Sequence, residues 1–159
     1  MDHAIQLMEK LRNKTARVAV LGMGYVGLPF ATVFSEAGFE VTGIDPIPEK
    51  METLNRGESY IMDVSTEQVA RLVKAGKLKG TTDYSILKDI DAVAICVPTP
   101  LRNTGDPDLS FIISATEGLA PYVHAGMVVV LESSTYPGTT RELVLPALTE
   151  KSGLTAGED

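Results

Sequence analysis

The sequence predicts a doubly wound α/β domain: a parallel five-stranded sheet in the order 3-2-1-4-5, helices on both faces, and a short helix ahead of the first strand. Three observations predict it. Val18–Leu21, Asp91–Val97 and Met127–Leu131 are apolar almost without interruption, as strands buried on both faces are. Segments of helical period separate the strands, giving the alternation β-α-β-α-α-β-α-β-α-β-α. Glycines such as Gly38, Gly57, Gly76 and Gly126 punctuate the boundaries. At 159 residues the chain reads as one domain with room for a genuine core.

The elements follow in order. Ile5, Met8 and Leu11, flanked by Ala4 and Leu7, predict a short amphipathic helix over 2–13, expected to pack on the body of the domain. His3, near its start, is expected to be solvated. After the first strand a helix runs from about Val26 to Ala37 and stops at Gly38. The second strand, Glu40–Ile44, leads through Asp45-Pro46-Ile47-Pro48, whose prolines delay the next helix to about Glu49–Asn55. Residues 59–64 read as irregular. Ser65 or Thr66 then caps a helix to about Ala75. Leu78–Thr82 is a short third strand, and Asp83 caps a small helix over 84–88. The fourth strand, Asp91–Val97, opens into a Pro-, Gly- and Asp-rich loop, Pro98–Pro107, expected to be rigid and exposed. A helix from Asp108 or Ser110 to about Val123 buries Ile112, Ile113, Thr116, Leu119 and Ala120. Met127–Leu131 is the fifth strand, and Thr139 or Thr140 caps a last helix to about Lys151. After LTAGED a sixth strand would be expected, so the sheet reads as cut short.

Composition narrows the function. Hydrophobic residues at 44% and charged residues at 22% are ordinary for a soluble globular protein. A net charge of −7 without a Lys/Arg cluster argues against a nucleic-acid partner. The apolar runs fall far short of the ~20 residues of a membrane span, and the N-terminus lacks a signal-peptide core. One cysteine, Cys96, excludes an internal disulfide, and a cytoplasmic location is expected.

The chemistry begins at Gly22-x-Gly24-x-x-Gly27, between the first strand and its helix. In a dinucleotide site Gly22 permits the tight turn, Gly24 lacks the Cβ that would block a pyrophosphate, and Gly27 lets helix and strand approach. The helix N-terminus offers unpaired N–H groups to phosphate. Asp45, ending the second strand, is placed to accept bonds from the adenosine ribose and to repel a 2′-phosphate, which favours NAD over NADP. Lys50, on the first turn of the following helix, can reach the adenosine end or stay solvated. The motif alone is equally that of a tight turn without ligand, and a methyltransferase-type nucleoside site also uses glycines followed by an acid. With this context the domain reads as Rossmann-like and NAD-binding.

Two further loops should converge on the same strand ends. Val97-Pro98-Thr99-Pro100 sets two prolines around a hydroxyl, and Ser133-Ser134-Thr135-Tyr136-Pro137-Gly138 presents hydroxyls before a rigid turn. Such groups can hold ribose or a water near a reacting carbon, or serve only as caps and turns.

GMGYVGLP, AICVPTPL and LESSTYPGTTRE, in this order and spacing, resemble the UDP-glucose/GDP-mannose dehydrogenase family, over essentially the whole chain but only the family's N-terminal NAD-binding domain. The VPTPL and ESSTYPGTT forms look most like its branch acting on UDP-N-acetylhexosamines, such as UDP-N-acetylglucosamine 6-dehydrogenase. The resemblance implies oxidation of a sugar C6 alcohol to a carboxylate with two NAD in succession, in a homodimeric enzyme of polysaccharide biosynthesis. It implies that Gly22, Gly24, Tyr25, Val26 and Gly27 hold the pyrophosphate, with Asp45 and Lys50 at the adenosine ribose. Val97, Pro98 and Thr99 would lie along the cofactor, and Thr135 would contact the nicotinamide side and help position the catalytic water. The family's nucleophilic cysteine, substrate-binding glutamate and later lysine belong to segments beyond residue 159, so residues 1–159 read as the NAD-binding domain without its substrate domain, inactive alone. Cys96, within the fourth strand, is expected to be a buried small apolar side chain. Glu132 reads as a strand-end structural acid and His124 as a helix C-terminal cap. Two other readings remain: a stand-alone NAD-responsive module without chemistry, and an oxidoreductase of the 6-phosphogluconate or hydroxyacid type, which usually lacks the paired loops.

Overall fold

Five parallel strands in the order β3-β2-β1-β4-β5 form the centre of the protein in a computed structural model, which describes residues 2–103 and 105–158. Thr104 of the Pro98–Pro107 loop and the last residue of LTAGED lie outside the described residues. The strands are β1 (Arg17–Leu21), β2 (Glu40–Ile44), β3 (Leu78–Thr81), β4 (Ala92–Ile95) and β5 (Val128–Leu131). Val18 pairs with Val41 on one side and Ala92 on the other, and Ile95 with Leu131, so the strand ends that carry the loops are level.

Side-chain alternation divides the core into two layers. Val18 and Val20 face α2 (Gly27–Glu36), α3 (Pro48–Asn55) and α4 (Thr66–Lys74), with Leu28, Met51, Leu54 and Val69 closing that layer. Ala19 and Leu21 face the other way, with Val93 and Ile95, onto α5 (Ser110–Leu119) and α6 (Leu145–Ser152). Each fully buried aliphatic chain contributes about 1.5–3 kcal/mol, which is why the unbroken apolar strands were legible. Ser65 caps α4 through Gln68 N at 3.1 Å, and Asp83 caps a 3-10 turn at Tyr84–Asp89 through Ser85 N at 2.8 Å. Asn55 bonds both backbone groups of Gly80, stitching α3 to the edge strand β3.

Several expectations are corrected. The helix α1 (His3–Arg12) forms with Asp2 as its cap, but none of its residues is fully buried: Leu7 is half-buried, while Ile5 is 57%, Met8 49% and Leu11 36% exposed. Its tie to the domain includes the ion pair of half-exposed Lys10 with Asp91, worth about 0–1 kcal/mol at a surface. Amphipathic spacing specifies a face, not a partner for it. Pro48 does not delay α3 but begins it, because a proline fits the first helical position. Ile113 points outward, and Ala115 takes its expected place in the core. The α5 segment ends earlier than expected, at Leu119, and continues as a 3-10 turn through Pro121. The last helix opens with a wide π-type turn, Thr140–Val144, before α6. Val128 and Val130, about 40% exposed, leave one face of β5 uncovered. Among the described residues no helix is long and apolar enough to cross a membrane.

Candidate cofactor-binding site

The three motif glycines have different neighbours. Gly22 adopts φ +89°, and a Cβ there would stand 2.8 Å from the Cys96 carbonyl oxygen; a Cβ on Gly27 would fall 1.8 Å from the Gly22 oxygen. Both are closed by the protein itself. At Gly24 a Cβ would meet nothing within 4 Å. This is open space beside the start of α2, whose first turn no side chain caps. A cradle left open by a missing Cβ, at the N-terminal end of α2, fits a bound pyrophosphate.

Asp45 lies at the end of β2, 5% exposed, and its carboxylate is already engaged. Oδ2 accepts from Met23 N at 3.0 Å and from Lys50 Nζ at 3.0 Å, while Oδ1 accepts from Ile47 N at 3.1 Å. Lys50, its side chain 30% exposed, thus pairs with Asp45 at the edge of the cleft and neutralises its charge. A carboxylate oxygen can accept more than one bond, so ribose hydroxyls remain acceptable donors. The structure adds a role absent from the sequence reading, since Asp45 locks the glycine loop to β2. Met23 is wholly buried against Gly43, where a Cβ would come 2.5 Å from the Met23 side chain. Its carbonyl accepts from the Tyr60 hydroxyl at 2.9 Å. Burial, and after it the Asp45 charge, push the Tyr60 phenol well above its ordinary range. Tyr60 went unread because 59–64 has no period to interpret.

The other two loops meet at the adjacent strand ends. Ser133 Oγ donates to the Val97 carbonyl at 2.8 Å, joining the β5 loop to the β4 loop. Thr135 and Thr139 hydroxyls lie 2.9 Å apart, and Thr139, 1% exposed, also donates to the Tyr136 carbonyl. Leu101 and Pro107 bridge the base of the long loop, with Leu101 72% exposed. Cys96 is buried, and desolvation followed by the Glu132 charge pushes its thiol up to about 12, so it is a neutral core side chain. Glu132 is exposed. His124 is not a helix cap: its ring joins the Ala125 and Ile90 carbonyls, each at 3.0 Å, in the turn before β5.

A cleft of about 570 Å³ brings together Gly24, Tyr25, Val26, Lys50, Val97 and Pro98 of the predicted residues, with Tyr60, Ile61 and Cys96 added by the fold. Gly22, Gly27 and Asp45 are buried around it as its support. Thr99 and Thr135, both half-buried, do not line it. Tyr25 and Val26 are 78% and 56% exposed at its rim.

Comparison with known proteins decides the family. A sequence model for the NAD binding domain of the UDP-glucose/GDP-mannose dehydrogenase family matches residues 16–159. The chain belongs to this family. It is 37% identical over 144 residues to UDP-N-acetyl-D-mannosamine dehydrogenase of Pyrococcus horikoshii, an alignment covering 90% of this chain and 34% of that protein. It is 34% identical over 148 residues to GDP-mannose 6-dehydrogenase of Pseudomonas syringae, again covering 90% and 34%. The structure matches that of NDP-N-acetyl-D-galactosaminuronic acid dehydrogenase from Methanosarcina mazei with a TM-score of 0.87 and 38% identity, over all of this chain and 36% of the other. The chain thus spans about a third of the length of the relatives it matches. The cofactor is NAD, as the family's domain and the open Gly24 cradle agree. Relatives named for different sugars leave the substrate to proposal.

Proposed function

We propose that this chain is the oxidant-holding part of a nucleotide-sugar 6-dehydrogenase that converts the C6 alcohol of a UDP-N-acetylhexosamine to the uronate, in the cytoplasm and toward polysaccharide. One observation carries the reading. The open Gly24 cradle, the Asp45–Lys50 pair and the Val97–Pro98 loop border one cleft at the carboxyl ends of β1, β2 and β4. That is where a doubly wound sheet places its ligand. Gly22, Gly24, Tyr25, Val26 and Gly27 hold the pyrophosphate, Asp45 and Lys50 the adenosine ribose, and Val97, Pro98 and Thr99 the length of the cofactor. NAD, when bound, supplies the hydride acceptor.

Thr135 is the residue proposed at the reacting end. Its hydroxyl is held by Thr139, which is itself fixed by the Tyr136 carbonyl, so one lone pair or proton of Thr135 has a set direction. A hydroxyl so oriented suits the positioning of a water or amide rather than nucleophilic attack. The chain's own cysteine cannot act as nucleophile, being buried and uncharged. On this reading the nucleophile is supplied from outside residues 1–159, and the complete enzyme works as a homodimer.

The purified 159-residue chain should bind NAD more tightly than NADP by calorimetry and produce no NADH from any UDP-N-acetylhexosamine. Turnover by the chain alone, or indifference to NAD, sinks the proposal.

A further inference from the structure

We propose that Tyr60 is a positioning residue for the cofactor pyrophosphate, acting through the Met23 peptide; this rests on the assignment of the glycine loop to that group. Met23 is the residue between the first two motif glycines, and it is gripped from both sides. Its N–H donates to Asp45 Oδ2 at 3.0 Å, and its carbonyl accepts from Tyr60 Oη at 2.9 Å. These two groups belong to successive peptide planes. The Met23 carbonyl shares its plane with the Gly24 N–H, and across a trans peptide the two point in opposite directions. A hydroxyl that holds the carbonyl therefore fixes the direction of the Gly24 N–H.

Such control is needed at this position. Gly24 has no Cβ to limit rotation of that plane, and the space a Cβ would take there is empty. Asp45 restrains only the plane before. The buried Met23 side chain anchors the Cα between the two planes, leaving Tyr60 to set the second. Tyr60 is also well placed to remain a donor, because burial and the nearby Asp45 charge both keep its phenol protonated. Tyr60 stands half-buried in the wall of the same cleft, which Ile61, Val97 and Pro98 also line. A preorganised donor saves the ordering cost that a free glycine plane would incur on binding.

The test is Tyr60→Phe, which keeps the ring and removes only the donor. NMR titrations of the purified chain with NAD, ADP-ribose and adenosine separate the possibilities. NAD and ADP-ribose, which carry the pyrophosphate, should bind about fivefold more weakly, and adenosine should be unchanged. Equal weakening of all three, or no weakening of NAD, overturns the proposal. In the unmodified chain, where no variant has to fold, the Tyr60 hydroxyl proton, which donates to the Met23 carbonyl, should exchange with water at least ~tenfold more slowly than that of free tyrosine before any ligand is added. Exchange at the rate of free tyrosine overturns the clamp. Failure of the unmodified chain to bind NAD would instead count against the cleft assignment, and the hydroxyl measurement would still judge the clamp.

Discussion

Two loops at the carboxyl ends of the sheet are held in contrasting ways. The glycine loop after β1 is fastened from within: Gly22 and Gly27 are closed by backbone, Met23 is wholly buried, and Asp45 and Tyr60 hold its peptide. The loop after β5 is fastened from outside, through side-chain hydroxyls on a mostly exposed turn, Ser133 to Val97 and Thr135 to Thr139. The edges next to them differ likewise. Asn55 stitches α3 to β3, whereas β5 presents Val128 and Val130 about 40% exposed. The half around the glycine loop is held by buried packing, and the half around the β5 loop by side-chain hydrogen bonds. Cofactor affinity should therefore depend on burial, and geometry at the reacting end on a few hydroxyls.

Substitutions can break this contrast. Gly27→Ala should have the largest effect, about 3 kcal/mol of stability lost by overpacking, because its Cβ would overlap the Gly22 oxygen; urea denaturation measures it, and a loss below ~1 kcal/mol would mean the loop yields. Asp45→Ala should cost roughly 1–3 kcal/mol in NAD binding and relax discrimination against NADP. It should also lower stability by roughly 1–3 kcal/mol, since the buried Met23 N–H loses its acceptor. Calorimetry and thermal unfolding together read both, and equal NAD affinities in parent and variant would refute the ribose assignment. Gly24→Ala sharpens the distinction: no clash arises in the free chain, so stability should change by under ~1 kcal/mol while NAD binds about tenfold more weakly. A matching loss of stability would show that Gly24 serves the fold. Ser133→Ala should be the mildest, about 1 kcal/mol of stability, with NAD affinity kept if the β5 loop is independent of the glycine loop.

Much of this was legible beforehand. β2 was read to the residue, and the sheet order followed from alternation, because parallel strands buried on both faces leave an unbroken apolar signature. Gly22, Gly24, Gly27 and Asp45 were legible because a motif with fixed spacing states a local geometry. Other features were not. The α1 face was expected to be covered and is open, Ile113 was placed inward and Ala115 took the position, and His124 bonds across to Ile90 instead of capping a helix. Each depends on what lies opposite, which periodicity along one segment cannot report.

The sequence by itself determined the parallel sheet, the glycine turn and the acid that follows it, because burial on both faces and backbone conformation leave marks in residue type. Only the tertiary structure decided that Lys50 neutralises Asp45, that Asp45 locks Met23, and that Tyr60 closes the same clamp from a segment without pattern. The last two contacts join residues 22 and 37 positions apart. A hydrogen bond across such a separation constrains the positions of two atoms, not the periodicity of either stretch that carries them.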